Sequence, residues 1–246
     1  KSTTFGDSTL LTKTGHTLNN TWDGANVYNG VVTITNGNTS TAYVKLASQN
    51  ADTYNKDVYF NAGTGPIQAA NAGTNIYNGN VIVNGNNVTF NTSGGTLKFA
   101  GEENQTFGGG TNTLTFNKLI VDKAGGSVTL NQPITIDSLL QLTSGIIYTD
   151  TIITLKATAT TTGASNLSFV DGTVKKIGNT AFVFPVGDKN TFFPVGISAP
   201  SNATDAFTSQ YFYQPQQFGD SLDSAVTSIS RCNYWSLIRN SGTSNI

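Results

Sequence analysis

Very few side chains in this chain have a reactive group, so their types and spacing set the first limits on function. His16 is the only histidine, and a Ser-His-Asp or Cys-His arrangement would have to be built on it. It sits in Thr14-Gly15-His16-Thr17, which reads as a turn leading into a strand. Cys232 is the only cysteine, in Ser230-Arg-Cys-Asn-Tyr-Trp235 on an expected strand. There it reads as a small buried filler and not as a nucleophile. Glu102 and Glu103 are the only glutamates. Adjacent strand residues point to opposite faces, whereas glycosidases hold two carboxylates facing each other, roughly 5–9 Å apart. The doublet reads as a solvated loop.

Metal and phosphate chemistry are equally thin. Asp7, Asp23, Asp52 and Asp57 are dispersed, with neither a calcium-roll repeat nor a twelve-residue loop closed by Glu. That leaves open only a structural Ca²⁺ held by Asp and backbone carbonyls. The glycine runs at 94–95, 108–110 and 125–126 have no helix-forming segment or Lys-Ser/Thr behind them, so they are not phosphate cradles. The pairs Thr33-x-Thr35 and Thr113-x-Thr115 raise a flat ice-binding ladder, but Thr35 aligns with Asn61 and Asn84 and the pairs do not recur. The expectation is no catalytic residue, no cofactor and no metal site.

The elements that would position any site follow from composition. Of 246 residues only 11% are charged, against roughly 25% in an ordinary soluble domain. Thr (38), Asn (28) and Gly (26) together exceed a third of the chain. All three are poor helix formers, which makes an all-helical fold untenable. A formal net charge of −1 removes the electrostatic basis for nucleic-acid binding. No apolar run reaches the length of a membrane-spanning helix. With 37% hydrophobic residues the chain is not expected to be disordered. An all-β protein remains.

Internal repeats then narrow the class. Asn26-Val-Tyr-Asn-Gly-Val-Val32, Asp52-Thr-Tyr-Asn-Lys-Asp-Val58 and Asn75-Ile-Tyr-Asn-Gly-Asn-Val81 align without gaps, 26 and then 23 residues apart. Each unit is turn chemistry followed by a period-2 strand, Val32-x-Ile34, Val58-x-Phe60 or Val81-x-Val83. Short alternating strands persist downstream, from Val88-x-Phe90 to Ile153-x-Leu155, separated by glycine-rich turns. Strands alone allow a β-sandwich or a parallel β-helix; the repeat favours the helix, because one unit cannot bury its apolar face without stacked neighbours. The expected fold is a parallel β-helix (β-solenoid) of about seven coils over residues 1–165. At roughly 4.8 Å per coil it would be a rod near 34 Å long. Tyr28, Tyr54 and Tyr77 are expected to stack as a ladder, with Asn29, Asn55 and Asn78 beside them, as packing and not as a ligand stripe. β-Helix lyases and pectinases need Asp, Lys, Arg or His clustered on one coil face, and the solenoid region has no such cluster.

Past residues 162–168 the texture changes. Most prolines lie there, the strands lengthen, and Phe184-Pro-Val-Gly187 and Phe193-Pro-Val-Gly196 bracket Asp188-Lys189-Asn190 as a hairpin. Residues 166–246 read as a smaller antiparallel β-sandwich-like domain, incomplete because only a short polar tail follows Trp235 and Leu237. Lys1 opens a chain without methionine, so the N-terminus is expected to be processed. Neither end looks like a cap.

Several phrases resemble the repetitive regions of very large secreted surface proteins of Bacteroidota. They are Phe5-Gly-Asp-Ser-Thr, the Tyr-Asn-Gly repeats, Leu114-Thr-Phe-Asn-Lys-Leu-Ile-Val121, Leu140-x-Leu-Thr-Ser-Gly-Ile146, Val170-Asp-Gly-Thr-Val-Lys-Lys-Ile-Gly178, Phe184-Pro-Val-Gly-Asp188, Ile197-Ser-Ala-Pro200, Thr204-Asp-Ala-Phe207 and Ser230-Arg-Cys-Asn-Tyr-Trp235. In that group such regions precede a sorting domain for type IX secretion, and the roles are adhesion, surface display and gliding-associated filaments. The resemblance carries no catalytic or binding residues. It implies O-glycosylation at Asp-Ser/Thr followed by an apolar residue or Thr, which here singles out Ser8, Ser138, Thr151, Ser221 and Ser224. Twelve Asp residues in this composition would give roughly one such triplet by chance. Turn chemistry before strands is the competing explanation.

The functional expectation is a non-catalytic extracellular or cell-surface structural and adhesive segment. Its open solenoid ends would join further repeats or copies of the same protein, with surface glycans as further partners. The alternatives are a carbohydrate-binding module using Trp22 or exposed tyrosines, and a β-helix polysaccharide-degrading enzyme.

Overall fold

A computed structural model describes residues 2–15, 18–90, 94–216 and 229–244. The described chain is all β, without helix, and winds as a parallel β-solenoid of about seven coils. Three rows of stacked strands run along it. Row A starts with Thr3–Phe5, Asn26–Tyr28, Thr53–Tyr54, Thr74–Tyr77 and Thr96–Phe99, and continues through 118–121 and 139–142 to Thr160–Thr162. Row B holds Thr9–Lys13, Val32–Asn36, Val58–Ala62, Val81–Asn84, Gln105–Gly108 and Val128–Leu130, then 147–149 and 170–171. Row C begins with Asn20–Thr21, Val44–Lys45, Ile67–Gln68 and Val88–Thr89. A Phe90–Phe116 bridge carries it into 114–116, 134–136, 153–155 and 174–176. Coils are counted here from the N-terminus, coil 1 starting at Thr3 and a partial coil 8 at Thr160.

The alternation along each strand decides what faces inward. Val32-x-Ile34 stacks on Val58-x-Phe60 and then Val81-x-Val83, and all six side chains are buried. Because identical positions lie in register, each coil covers the apolar face of the one before it, which is why no unit is stable alone. Edge-to-face rings fill the middle of the rod: Phe60 on Phe90 at 5.6 Å, Phe90 on Phe107 at 5.7 Å, Phe107 on Phe116 at 5.4 Å.

The corners change along the chain. In coils 1–4 the three rows are separate short strands, whereas Leu114–Asp122, Ile134–Ser144, Ile147–Leu155 and Val170–Ile177 each run through a corner as one strand. What reads in sequence as a series of short alternating strands is therefore fused into longer, bent ones.

Val170–Ile177 is shared between two pairings. It lies parallel to Ile147–Leu155 and antiparallel to Ala206–Phe212, which in turn pairs antiparallel with Tyr234–Ser241. Phe182–Phe184 pairs with Val195–Ile197, and Gly187–Asp188 with Thr191–Phe192, closing a hairpin. Lys189 and Asn190 make its turn in the left-handed region, at φ 50° and 63°. Phe182, Phe184, Val186, Phe207 and Tyr211 are buried in the same apolar cluster as the coils. The C-terminal end of the rod thus differs from the expectation of a bare end: Ala206–Phe212 covers row C in antiparallel fashion, and Val186 bridges Val170 of row B in parallel.

Candidate functional site

The repeat places its tyrosines on the inward face of row A. Phe5, Tyr28, Tyr54 and Tyr77 form a continuous stack, with ring centroids 4.9, 5.0 and 4.9 Å apart and planes within 9°. Tyr28, Tyr54 and Tyr77 are at most 4% exposed. Phe99, Val121 and Leu142 occupy the same column in later coils. Phe5 is the member that sequence comparison missed, since Thr3-Thr-Phe5 lacks the Tyr-Asn signature. Beside the rings, Asn55 Nδ2 donates to Asn29 Oδ1 at 2.8 Å, and Asn78 Nδ2 to Asn55 Oδ1 at 2.7 Å. Row B repeats the device at its far end, where Asn84 Nδ2 donates to Asn61 Oδ1 at 2.7 Å.

One carboxylate is buried against this stack. Asp52 Oδ1 accepts from Asn26 N (2.9 Å) and Asn26 Nδ2 (3.0 Å), while Asp52 N donates to Asn75 Oδ1 (2.9 Å). Burial raises the Asp52 carboxyl above its ordinary range, against the lowering effect of the Asn26 hydrogen bonds. Burial likewise pushes all three tyrosine hydroxyls well up, with the nearby Asp52 charge adding to each. They stay protonated and neutral. Tyr77 Oη has no hydrogen-bond partner among the described residues. A buried, neutral, stacked column offers no access to a substrate; its chemistry is cohesion.

At the N-terminal end the column opens. Phe5, Leu11, Trp22, Asp23, Gly24, Asn26 and Tyr28 line a hollow of about 290 Å³. Phe5, Leu11 and Trp22 are partly buried against the core, and Leu10 and Leu18 are exposed. Among the described residues no strand pairs with the outer edge of Thr3–Phe5, Thr9–Lys13 or Asn20–Thr21.

The remaining candidates are scattered. His16, Ser221 and Ser224 lie outside the described residues. Cys232 is exposed in a turn, not buried on a strand. Ser230 Oγ accepts from Cys232 N and Asn233 N and so ends the turn just before Tyr234–Ser241. Glu102 and Glu103 are exposed in a bend. Ser8 is exposed ahead of Thr9–Lys13; Ser138 is half-buried beside Asp137, whose Oδ1 meets Lys156 Nζ at 2.6 Å; Thr151 is half-buried. No group of three His, Cys, Asp or Glu suited to a metal ion occurs among the described residues. No helix among them is long and apolar enough to cross a membrane. No protein-family model, curated protein or solved structure matches the chain.

Proposed function

We propose that this chain is a non-catalytic, extracellular structural and adhesive segment of a bacterial surface protein or filament. One observation carries the reading. At the C-terminal end rows B and C are continued by Val186 and by Ala206–Phe212, while at the other end Phe5, Leu11 and Trp22 surround a hollow and all three rows of strand edge lack a neighbour among the described residues. Open edges template further strands. A coil laid on this face, from further repeats of the same protein or from a neighbouring copy, continues the three rows by strand addition. Backbone hydrogen bonds supply the affinity, and rings stacked below Phe5 set the register.

The other features fit a stalk. Length grows with coil number, and a surface of Thr and Asn with 11% charged residues stays soluble at little electrostatic cost. The hairpin 182–197 and the strands Ala206–Phe212 and Tyr234–Ser241 belong, in this reading, to a smaller antiparallel sandwich-like domain after residue 165. Export by a type IX route and glycosylation at Ser8, Ser138 and Thr151 rest on the resemblance to Bacteroidota surface proteins. Light scattering across a dilution series, with a panel of polyuronates assayed for turnover, tests the proposal. Concentration-dependent association without turnover supports it. Turnover, or a monomer at all concentrations with residues 5–12 strongly protected from hydrogen exchange, refutes it.

A further inference from the structure

Where row B turns into row C, consecutive coils are built differently. Coils 6 and 7 reach row C in step, Leu130 against Thr149 and Ile134 against Ile153. Coil 8 takes a shorter path: Val170–Ile177 is one continuous strand in which Asp171 pairs with Tyr148 and Thr173 with Ile152. Asp150 and Thr151 therefore lack counterparts in coil 8, and the corner overhangs it. Gly172 makes the tight path possible, at φ 150°. A Cβ there would lie 2.4 Å from Thr149 O and 2.6 Å from its Cγ2. The overhang is fastened by Thr149 Oγ1, which contacts Leu130 O at 3.3 Å, accepts from Thr151 N at 3.1 Å and lies 2.9 Å from Thr151 Oγ1.

The result is a hollow of about 220 Å³ whose walls include Thr129, Asn131, Tyr148, Asp150 and Thr151. Its size is below the roughly 300–1,000 Å³ of pockets for drug-sized ligands and suits a single ring. Tyr148 is half-buried and points outward in the column Thr106, Thr129, Tyr148, Asp171. The side chains of Asn131 and Asp150 are exposed. They offer an amide donor, an amide acceptor and carboxylate acceptors to neighbouring hydroxyls. Asp171 and Asp188 add negative charge beside Tyr148, and burial together with Asp188 and Asp150 raises the Asp171 carboxyl.

We infer that this corner is a binding site for a neutral pyranose, with Tyr148 as the stacking platform and Asn131 and Asp150 as hydroxyl ligands. An aromatic face takes the apolar side of a sugar ring, the polar rim takes its hydroxyls, and the acidic surround rejects uronate, sulfate and phosphate groups. The inference deepens the adhesive half of the proposed function and leaves the rod half independent. A sugar carried covalently on Thr151 would fill the same hollow, so the test requires protein with the mass of the unmodified sequence.

Saturation-transfer NMR on the full chain, with methyl glycosides of glucose, galactose, mannose and N-acetylglucosamine and with galacturonate, is the experiment. At least one neutral glycoside is expected to bind, about tenfold or more weaker in Tyr148→Ala, with galacturonate silent. No binding by any neutral glycoside overturns the inference, as does a preference for galacturonate or unchanged affinity in a folded Tyr148→Ala. Should Tyr148→Ala fail to fold, Asn131→Ala and Asp150→Ala, both at exposed positions, decide: unchanged affinity in both overturns it. These outcomes are separable from the rod reading, which is tested by association and not by sugar.

Discussion

Replacing Tyr54 by Leu removes rings from the ladder while keeping most of the buried volume. Tyr54 stacks on both sides, at 5.0 Å to Tyr28 and 4.9 Å to Tyr77. Tyr77 stacks on one side only, because Phe99, the next residue in its column, makes its ring contact with Phe107 in an edge-to-face geometry at 5.8 Å. A stacked pair contributes about 0.5–1.5 kcal/mol beyond area burial. Tyr54→Leu should therefore cost about 1–3 kcal/mol through two lost pairs, and Tyr77→Leu about half of that from one. The column tolerates aliphatic side chains, since Val121 and Leu142 occupy it in coils 6 and 7. In addition, Tyr77 Oη is buried with no hydrogen-bond partner among the described residues, so removing it recovers about 1–3 kcal/mol of desolvation. Tyr77→Leu should then be close to neutral and Tyr77→Phe stabilising, by about 1 kcal/mol or more. Urea unfolding followed by far-ultraviolet circular dichroism, compared at the midpoint with slopes held equal, gives the ranking. Equal losses for Tyr54→Leu and Tyr77→Leu, or a destabilised Tyr77→Phe, would refute the assignment of stability to ring stacking.

Three further outcomes follow from named contacts. Asp52→Asn should raise stability at neutral pH and flatten its pH dependence. The native carboxyl titrates above its unfolded value of 3.8, so wild-type stability is reduced at neutral pH and recovered as pH falls through the native value; urea midpoints from pH 7 downward read this out. Gly172→Ala should destabilise the chain by at least about 1–3 kcal/mol, because its Cβ would press on the Thr149 carbonyl oxygen, and thermal unfolding measures the loss. Cys232, exposed in its turn, should react with a thiol reagent in the folded protein at a rate close to that in urea; strong protection would contradict its placement.

The first half of the rod was legible because its coils repeat chemistry as well as length. A ring and an amide recur at Tyr28-Asn29, Tyr54-Asn55 and Tyr77-Asn78 because identical groups stack best in register, so the spacing of the motif is the length of the coil. Beyond Phe99 the column becomes Val121 and Leu142, which any buried strand would use, and the signature fades while the geometry continues. The corners were illegible there for a related reason: where Leu114–Asp122 runs through a bend, a single Asn117 between Phe116 and Lys118 is the only mark, without the glycine of the earlier turns. The hollow beside Tyr148 has no mark in the sequence because it arises from a difference between coils 7 and 8, not from a motif. The Asp150-Thr151 pair stood out only as a candidate glycosylation triplet. Cys232 lies outside the strand expected for it because Ser230 folds residues 230–233 into a turn ahead of Tyr234–Ser241.

The central claim is that the N-terminal face of the rod is made to be covered by another coil. Hydrogen exchange measured on Thr9–Lys13 and on Val58–Ala62, both row B strands, tests it most directly when the dilute isolated chain is compared with the proposed assembly of stacked coils. Val58–Ala62 has neighbours on both sides and should be protected in both samples, whereas the Leu10 and Thr12 amides, which alternate with the Thr9 N–H bonded to Val31 O and so face the open edge, should exchange rapidly in the dilute isolated chain and become protected in the assembly. Rapid exchange of the Leu10 and Thr12 amides in both samples, or their full protection in the isolated monomer, would contradict the claim.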